Sequence, residues 1–192
     1  MGINASTAKP ASISACVYVG PANSTKLPKS ANKTLDSEMV SVGYISDEGV
    51  TNSYSIESDD IKCWGGITVL SPLTSKEDKF SFTMISPTNE KALGLVFGDN
   101  NVTVAESADS TTGIAAGNIT VVADSADLTA HSFVIEMIVD GVAARMVIPN
   151  GKVSDIGDIS YTDSDAIGYE VTITALADAT DKTHYMYYNT TA

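Results

Sequence analysis

At 192 residues the chain has the length of one ordinary domain, alone or with terminal arms. Hydrophobic residues at 43% and charged residues at 18% suffice for a buried core, which excludes a chain disordered throughout. The formal net charge of −13, with 24 Asp and Glu against 11 Lys and Arg, leaves too few cations to neutralise phosphates and excludes tight nucleic-acid binding.

The charge is uneven. Residues 1–96 carry 8 basic against 10 acidic side chains and residues 97–192 carry 3 against 14, so the second half holds −11 of the −13. Two readings stand: general solubility, or a surface that must not adhere to a polyanion passing close by. Thr, Ser, Val and Ile crowd the chain and Arg145 is the only arginine, a bias that favours strands over helices.

Residues 1–35 read as an irregular N-terminal arm punctuated by Pro10, Pro21 and Pro28. Its one apolar stretch, Ala15–Val19, suits a strand added at a sheet edge. Such an arm is either disordered or ordered by packing on a neighbour. The regular domain spans 36–178. Met39–Ile45 is strand-like, and Lys79–Ile85 alternates apolar and polar residues, so one face of that strand is buried. Between them the stretch at about 46–79 is longer than ordinary connections and reads as a long contact loop. One helix is expected at about 87–97, with Ser86 as N-cap, Pro87 in the first turn, a stripe of Ala92, Leu93, Val96 and Phe97, and Gly98 as terminator.

The remainder reads as β. Strands are expected at 101–105 and 118–123, around the small-residue loop 107–117. Phe133–Val139 and Val142–Ile148 flank the hairpin signal Asp140-Gly141. Pro149-Asn150-Gly151 predicts a turn, and 152–161 and 166–176 form a further antiparallel pair. Residues 179–192 are a last strand, expected at Thr183–Tyr188, or a C-terminal arm. The fold class is mainly β: two antiparallel sheets packed as a β-sandwich with one short flanking α-helix, a long inter-strand loop and terminal arms.

Catalytic and metal-binding patterns are missing. His131 and His184 are the only histidines and lack zinc-site spacing, as do Cys16 and Cys63, which read as reduced, semi-apolar residues. Gly65-Gly66 and Gly113–Gly117 do not have the layout of a phosphate loop, and no Gly-x-Ser-x-Gly elbow occurs. Acidic groups at Asp59/Asp60, Asp155/Asp158, Asp163/Asp165 and Asp178/Asp181 lack an EF-hand loop and read as solvated carboxylates. No cofactor is expected and no enzyme. No apolar run reaches the length of a membrane span. Met1–Ser6 fits a myristoylation pattern, and Asn-x-Ser/Thr recurs at Asn4, Asn23, Asn32, Asn101, Asn118 and Asn189; both are discounted as short chance matches. Trp64, the only tryptophan, stands before Gly65-Gly66 in the long polar stretch: it either fills the core or anchors an interface.

Several stretches, in order over residues 43–178, resemble the major tail tube protein of long-tailed, non-contractile (siphovirus-type) bacteriophages. They are Gly43–Val50, Asp60–Gly66, Phe80–Ile85, Leu93–Val102, Arg145–Val153, Gly157–Tyr161 and Tyr169–Ala175. The resemblance implies a tail-tube β-sandwich, six copies closing into a ring, and rings stacking into a tube through which DNA is ejected. It implies ring-to-ring contacts by the long loop and the arms, which places Asp47, Glu48, Gly49, Trp64, Gly65 and Gly66 at a stacking interface. It also implies an acidic lumen, for which alternation on the late strands selects Asp155, Asp158, Asp163 and Glu170. Implied partners are further copies of the chain, a tape measure protein, and tail terminator and distal tail proteins, with DNA passing unbound. The location implied is the virion tail, assembled in the bacterial cytoplasm. The competing reading is a surface β-sandwich binding module, immunoglobulin-like or carbohydrate-binding, with Tyr185, Tyr187 and Tyr188 as its aromatic patch.

Overall fold

The computed structural model describes residues 6–109 and 111–189. The first five residues of the N-terminal arm, with Asn4 and most of the myristoylation pattern, and the last three of the C-terminal segment lie outside the described residues. The strands in chain order are β1 (Ala8–Pro10), β2 (Val17–Pro21), β3 (Val40–Ser41), β4 (Ile45–Ser58), β5 (Ile61–Lys62), β6 (Thr68–Leu70) and β7 (Leu73–Met84). After the helix α1 (Glu90–Phe97) come β8 (Val102–Val104), β9 (Ile119–Val121), β10 (His131–Val139), β11 (Val142–Ile156), β12 (Tyr169–Ala175) and β13 (Tyr185–Tyr188).

Hydrogen bonding follows one path, β3-β2-β10-β11-β12-β7-β4, with β1 added to β10 and β13 to β11. Every pairing is antiparallel. The two ends of this path, β3 and β4, are joined by only Val42-Gly43-Tyr44, so the sheet curls until its ends lie side by side. The junction is tied down: Val42 N donates to Val17 O (3.1 Å), Tyr44 N to Ser86 Oγ (2.8 Å) and Ile85 N to Tyr44 O (2.9 Å). Gly43 is required there, because its φ is +89° and a Cβ would stand 2.3 Å from Ser86 Oγ.

The mainly β fold, the antiparallel pairing and the short helix agree with the sequence reading. The layers are continuous because β11 runs through Pro149-Asn150-Gly151, where a turn was expected. A register shift opposite His131 and Phe133 absorbs the proline as a bulge, so the missing N–H does not end the strand. β2 is an interior strand between β10 and β3, not an edge.

The main core gathers Phe80, Phe82, Phe133, Ile148, Val171 and Ile173 from the sheet with Ala92, Leu93, Leu95 and Val96 from α1. The helix begins three residues later than expected. Asn89, not Ser86, is its N-cap, with Oδ1 accepting from Lys91 N (2.9 Å) and Ala92 N (3.1 Å). Gly98 ends it at φ 96°, its N–H donating to Gly94 O.

The opposite face of β2, β10 and β11 is also covered. Val134 and Val147 are buried there under Leu27, Leu35 and Met39, alongside Tyr185 and Tyr187. Burial on both faces explains the unbroken apolar run at Phe133–Ile135. Arg145, 5% exposed, pins this cover: Nη1 donates to Ser30 O (2.6 Å) while Nε and Nη2 grip Glu136. Part of the stretch expected to be disordered or to pack on a neighbour is thus packed on its own chain's sheet.

The largest difference is the 46–79 stretch. It is a β-hairpin, not a loop: β4 pairs β7 from Ile45/Met84 to Ser58/Leu73, and β5 and β6 extend it to a turn at 63–67. Beyond Asp78 both faces meet solvent, so apolar–polar alternation marks the strands only in pieces, as at Ser53–Glu57.

Candidate assembly surfaces

The histidines and cysteines form no reactive centre. His131 Nε2 lies 3.1 Å from Asp99 Oδ2, Cys16 is buried and Cys63 is exposed. Burial pushes the Cys16 thiol upward, which suppresses the thiolate. Among the described residues no three His, Cys, Asp or Glu side chains converge as metal ligands, and no helix is long and apolar enough to cross a membrane.

The tip of the long hairpin is a tight turn in which Gly66 N donates to Cys63 O (2.9 Å). Gly65 takes φ +116° and Gly66 φ +87°, as a turn with a left-handed third position needs. Trp64, the second residue of that turn, is fully exposed, which removes the core reading for it. Ile56, Ile61, Ile67, Val69, Leu70 and Leu73 are exposed on the same outer part of the hairpin. These exposed apolar side chains stand out on a strongly acidic chain.

Asp47, Glu48 and Gly49 sit at the other end of the hairpin, at its root, where the β4–β7 register skips between Ile45 and Val50. Fifteen residues separate Gly49 from Trp64, roughly 45–50 Å of strand. The two halves of the expected stacking interface therefore do not meet within one chain. The root borders a groove of about 370 Å³ lined by Ile13, Cys16, Ile45, Val50, Ile135 and Met137, with Lys9, Asp47, Glu48 and Glu136 around it. Ser46 lines it too, with its Oγ closed off from solvent and without a hydrogen-bond partner.

The expected lumen acids gather at one end of the β11–β12 pair. Asp155 faces Thr172, Glu170 accepts a backbone hydrogen bond from Gly157 (2.9 Å), and Asp158 and Asp163 lie in the connection between the strands. All four are exposed and none takes part in an ion pair among the described residues.

One buried cluster was missed. Asp78, 2% exposed, accepts from Asn52 Nδ2 (2.7 Å), Thr183 Oγ1 (2.7 Å) and His184 Nδ1 (2.6 Å). A carboxylate can only accept, so Nδ1 carries the proton; Nε2 lies 3.4 Å from the Tyr54 hydroxyl. Asp78 locks the segment entering β13 onto the hairpin where it leaves the body. The signal was present, since Asp78 is in phase with the buried Phe80, Phe82 and Met84. Just upstream, Asp178 closes the turn into β13. Its carboxyl is held far below the usual range, first by the Tyr185 hydroxyl and then by Thr180.

The family model described as "Phage tail tube protein" matches residues 1–192. The chain belongs to that family. A tail tube protein is a structural component of the virion, in keeping with a surface whose conspicuous features are contact elements. Two solved structures show similarity. One is described as "Cryo-EM structure of the anti-feeding prophage cap (AFP tube terminating cap)", 6% identical, covering 98% of this chain and 95% of that one, with a TM-score of 0.43. The other is "Virion of native gene transfer agent (GTA) particle", 11% identical, covering 81% and 92%, with a TM-score of 0.39. No match is found among curated proteins.

Proposed function

We propose that the chain is the repeating subunit of the tube of a long, non-contractile phage tail, closing into rings of six that stack into a hollow conduit for DNA during ejection. The observation that carries this reading, beyond family membership, is the projecting hairpin with its exposed apolar outer half and fully exposed Trp64. An isolated subunit has no use for such an element. The outer edge of β4 is the second support: this 14-residue strand has β7 as its one strand partner among the described residues, which leaves a long free edge that association between copies would cover. Asp47, Glu48, Gly49, Trp64, Gly65 and Gly66 are the stacking residues in this reading.

Asp155, Asp158, Asp163 and Glu170 line the lumen in the same reading. Carboxylates without cations give phosphates nothing to exchange counterions with, so the duplex slides and does not bind. Repulsion acts within a Debye length of about 8 Å and centres the duplex. Assembly with a tape measure protein and with terminator and distal tail proteins, in the host cytoplasm, belongs to the same proposal. The binding-module alternative gains no support, because Tyr185 and Tyr187 pack over Val134 and Val147.

Negative-stain imaging of the purified protein tests the proposal. Stacked rings or tubes are expected, more readily at high salt, where like charges are screened. A monomer at high concentration, with and without salt, would refute it.

A further inference from the structure

The root groove and the hairpin tip are matched surfaces of one molecule. The groove is apolar, with an acidic rim from Asp47 and Glu48. The tip carries a fully exposed indole next to Lys62. An indole needs apolar walls and one acceptor for its N–H; the groove supplies the walls and the exposed carboxylates of Asp47 and Glu48 the acceptor. Lys9 lines the groove, and Lys62 is the charge complement of Asp47 and Glu48. The hairpin holds knob and hole too far apart to meet within one chain.

We propose that Trp64 of one copy inserts into the root groove of a second copy, its indole N–H donating to a rim carboxylate, Asp47 or Glu48. The proposal rests on the tube-subunit reading and names the lock within it. The occupant is a second copy because knob and hole recur on every chain. A contact between two different patches of the same molecule is heterologous and propagates, as a filament requires. Hairpin length then sets the axial offset between locked copies. The glycines after Trp64 leave the approach clear, since a Cβ at Gly65 or Gly66 would meet nothing within 4 Å in the isolated chain.

A mixed cross-linking experiment tests the lock. Glu48→Cys/Cys63→Ser protein is assembled with a tagged Cys16→Ser protein that retains Cys63, then oxidised mildly and resolved without reductant. Disulfide-linked heterodimers joining position 48 to Cys63 are expected, and Trp64→Ala in the tagged partner should abolish them. That substitution should also raise the concentration needed for tube formation about 30-fold. Asp47→Cys serves as a second groove probe. Tubes visible by negative stain without heterodimers, or tip-to-tip dimers of the tagged protein alone, would overturn the lock and leave the tube reading standing. Failure of the unsubstituted protein to assemble under any salt condition would overturn both.

Discussion

The Asp78 cluster makes the most quantitative demand on the structure. Asp78→Ala removes a carboxylate that is 2% exposed and strands three donors, from Asn52, Thr183 and His184, drawn from two distant parts of the chain. Breaking a buried charged network by deleting one partner costs about 3–5 kcal/mol. At roughly 2–4 °C per kcal/mol for a domain of this size, the melting temperature should fall by about 10 °C. The assay is thermal unfolding by circular dichroism, paired with limited proteolysis of the C-terminal segment, which should become cleavable near Lys182. His184→Ala should be less damaging alone and should add little to Asp78→Ala, giving a coupling energy of at least ~1 kcal/mol in a double-mutant cycle. A drop under ~2 °C for Asp78→Ala, or strict additivity with His184→Ala, would refute the reasoning.

Three further outcomes are expected. Gly43→Ala, at φ +89° and with Ser86 Oγ 2.3 Å from the new Cβ, should destabilise by about 2 kcal/mol or more, read by urea unfolding; a neutral result would mean the sheet closure is slack. Asp178 has a lowered folded pKa, so its contribution is fully present above the unfolded value near pH 4 and is lost as pH falls through the folded one. The melting difference between the unsubstituted protein and Asp178→Asn should therefore shrink from pH 5 to pH 2, and a constant difference would contradict the assignment. Neutralising Asp155, Asp158, Asp163 and Glu170 together to Asn and Gln should leave the melting temperature within ~2 °C, since all four are exposed and outside ion pairs. The same variant should let assembled tubes retain duplex DNA at low salt, whereas unchanged DNA retention would argue against a lumenal position.

How much of this was legible depended on burial. Lys79–Ile85 and Phe133–Val139 announced themselves because water lies on one side of the first and core on both sides of the second. The long hairpin was legible only in pieces for the opposite reason: Ser53–Glu57 alternates around Tyr54 and Ile56, but with solvent on both faces the pattern does not continue along the strands. The helix start was misplaced because Ser86-Pro87 imitates a cap. In the fold the Ser86 hydroxyl accepts from Tyr44 across the closure, a partner 42 residues away that local spacing cannot reveal. Of the expected stacking residues, Trp64-Gly65-Gly66 carried a local turn signal. The groove that borders Asp47 and Glu48 is assembled from three separate stretches, 8–16, 45–50 and 135–137, and had none.

The hairpin also has a mechanical meaning. β7 runs unbroken from the exposed outer ribbon into the core at Phe80, Phe82 and Met84, bonded to β4 along one edge and, near its inner end, to β12 along the other. A pull on the tip along the strand axis therefore loads many hydrogen bonds in parallel, in shear, and the load ends in the best-packed part of the subunit. The projection behaves as a beam clamped at its root, and a load on it is not released one bond at a time.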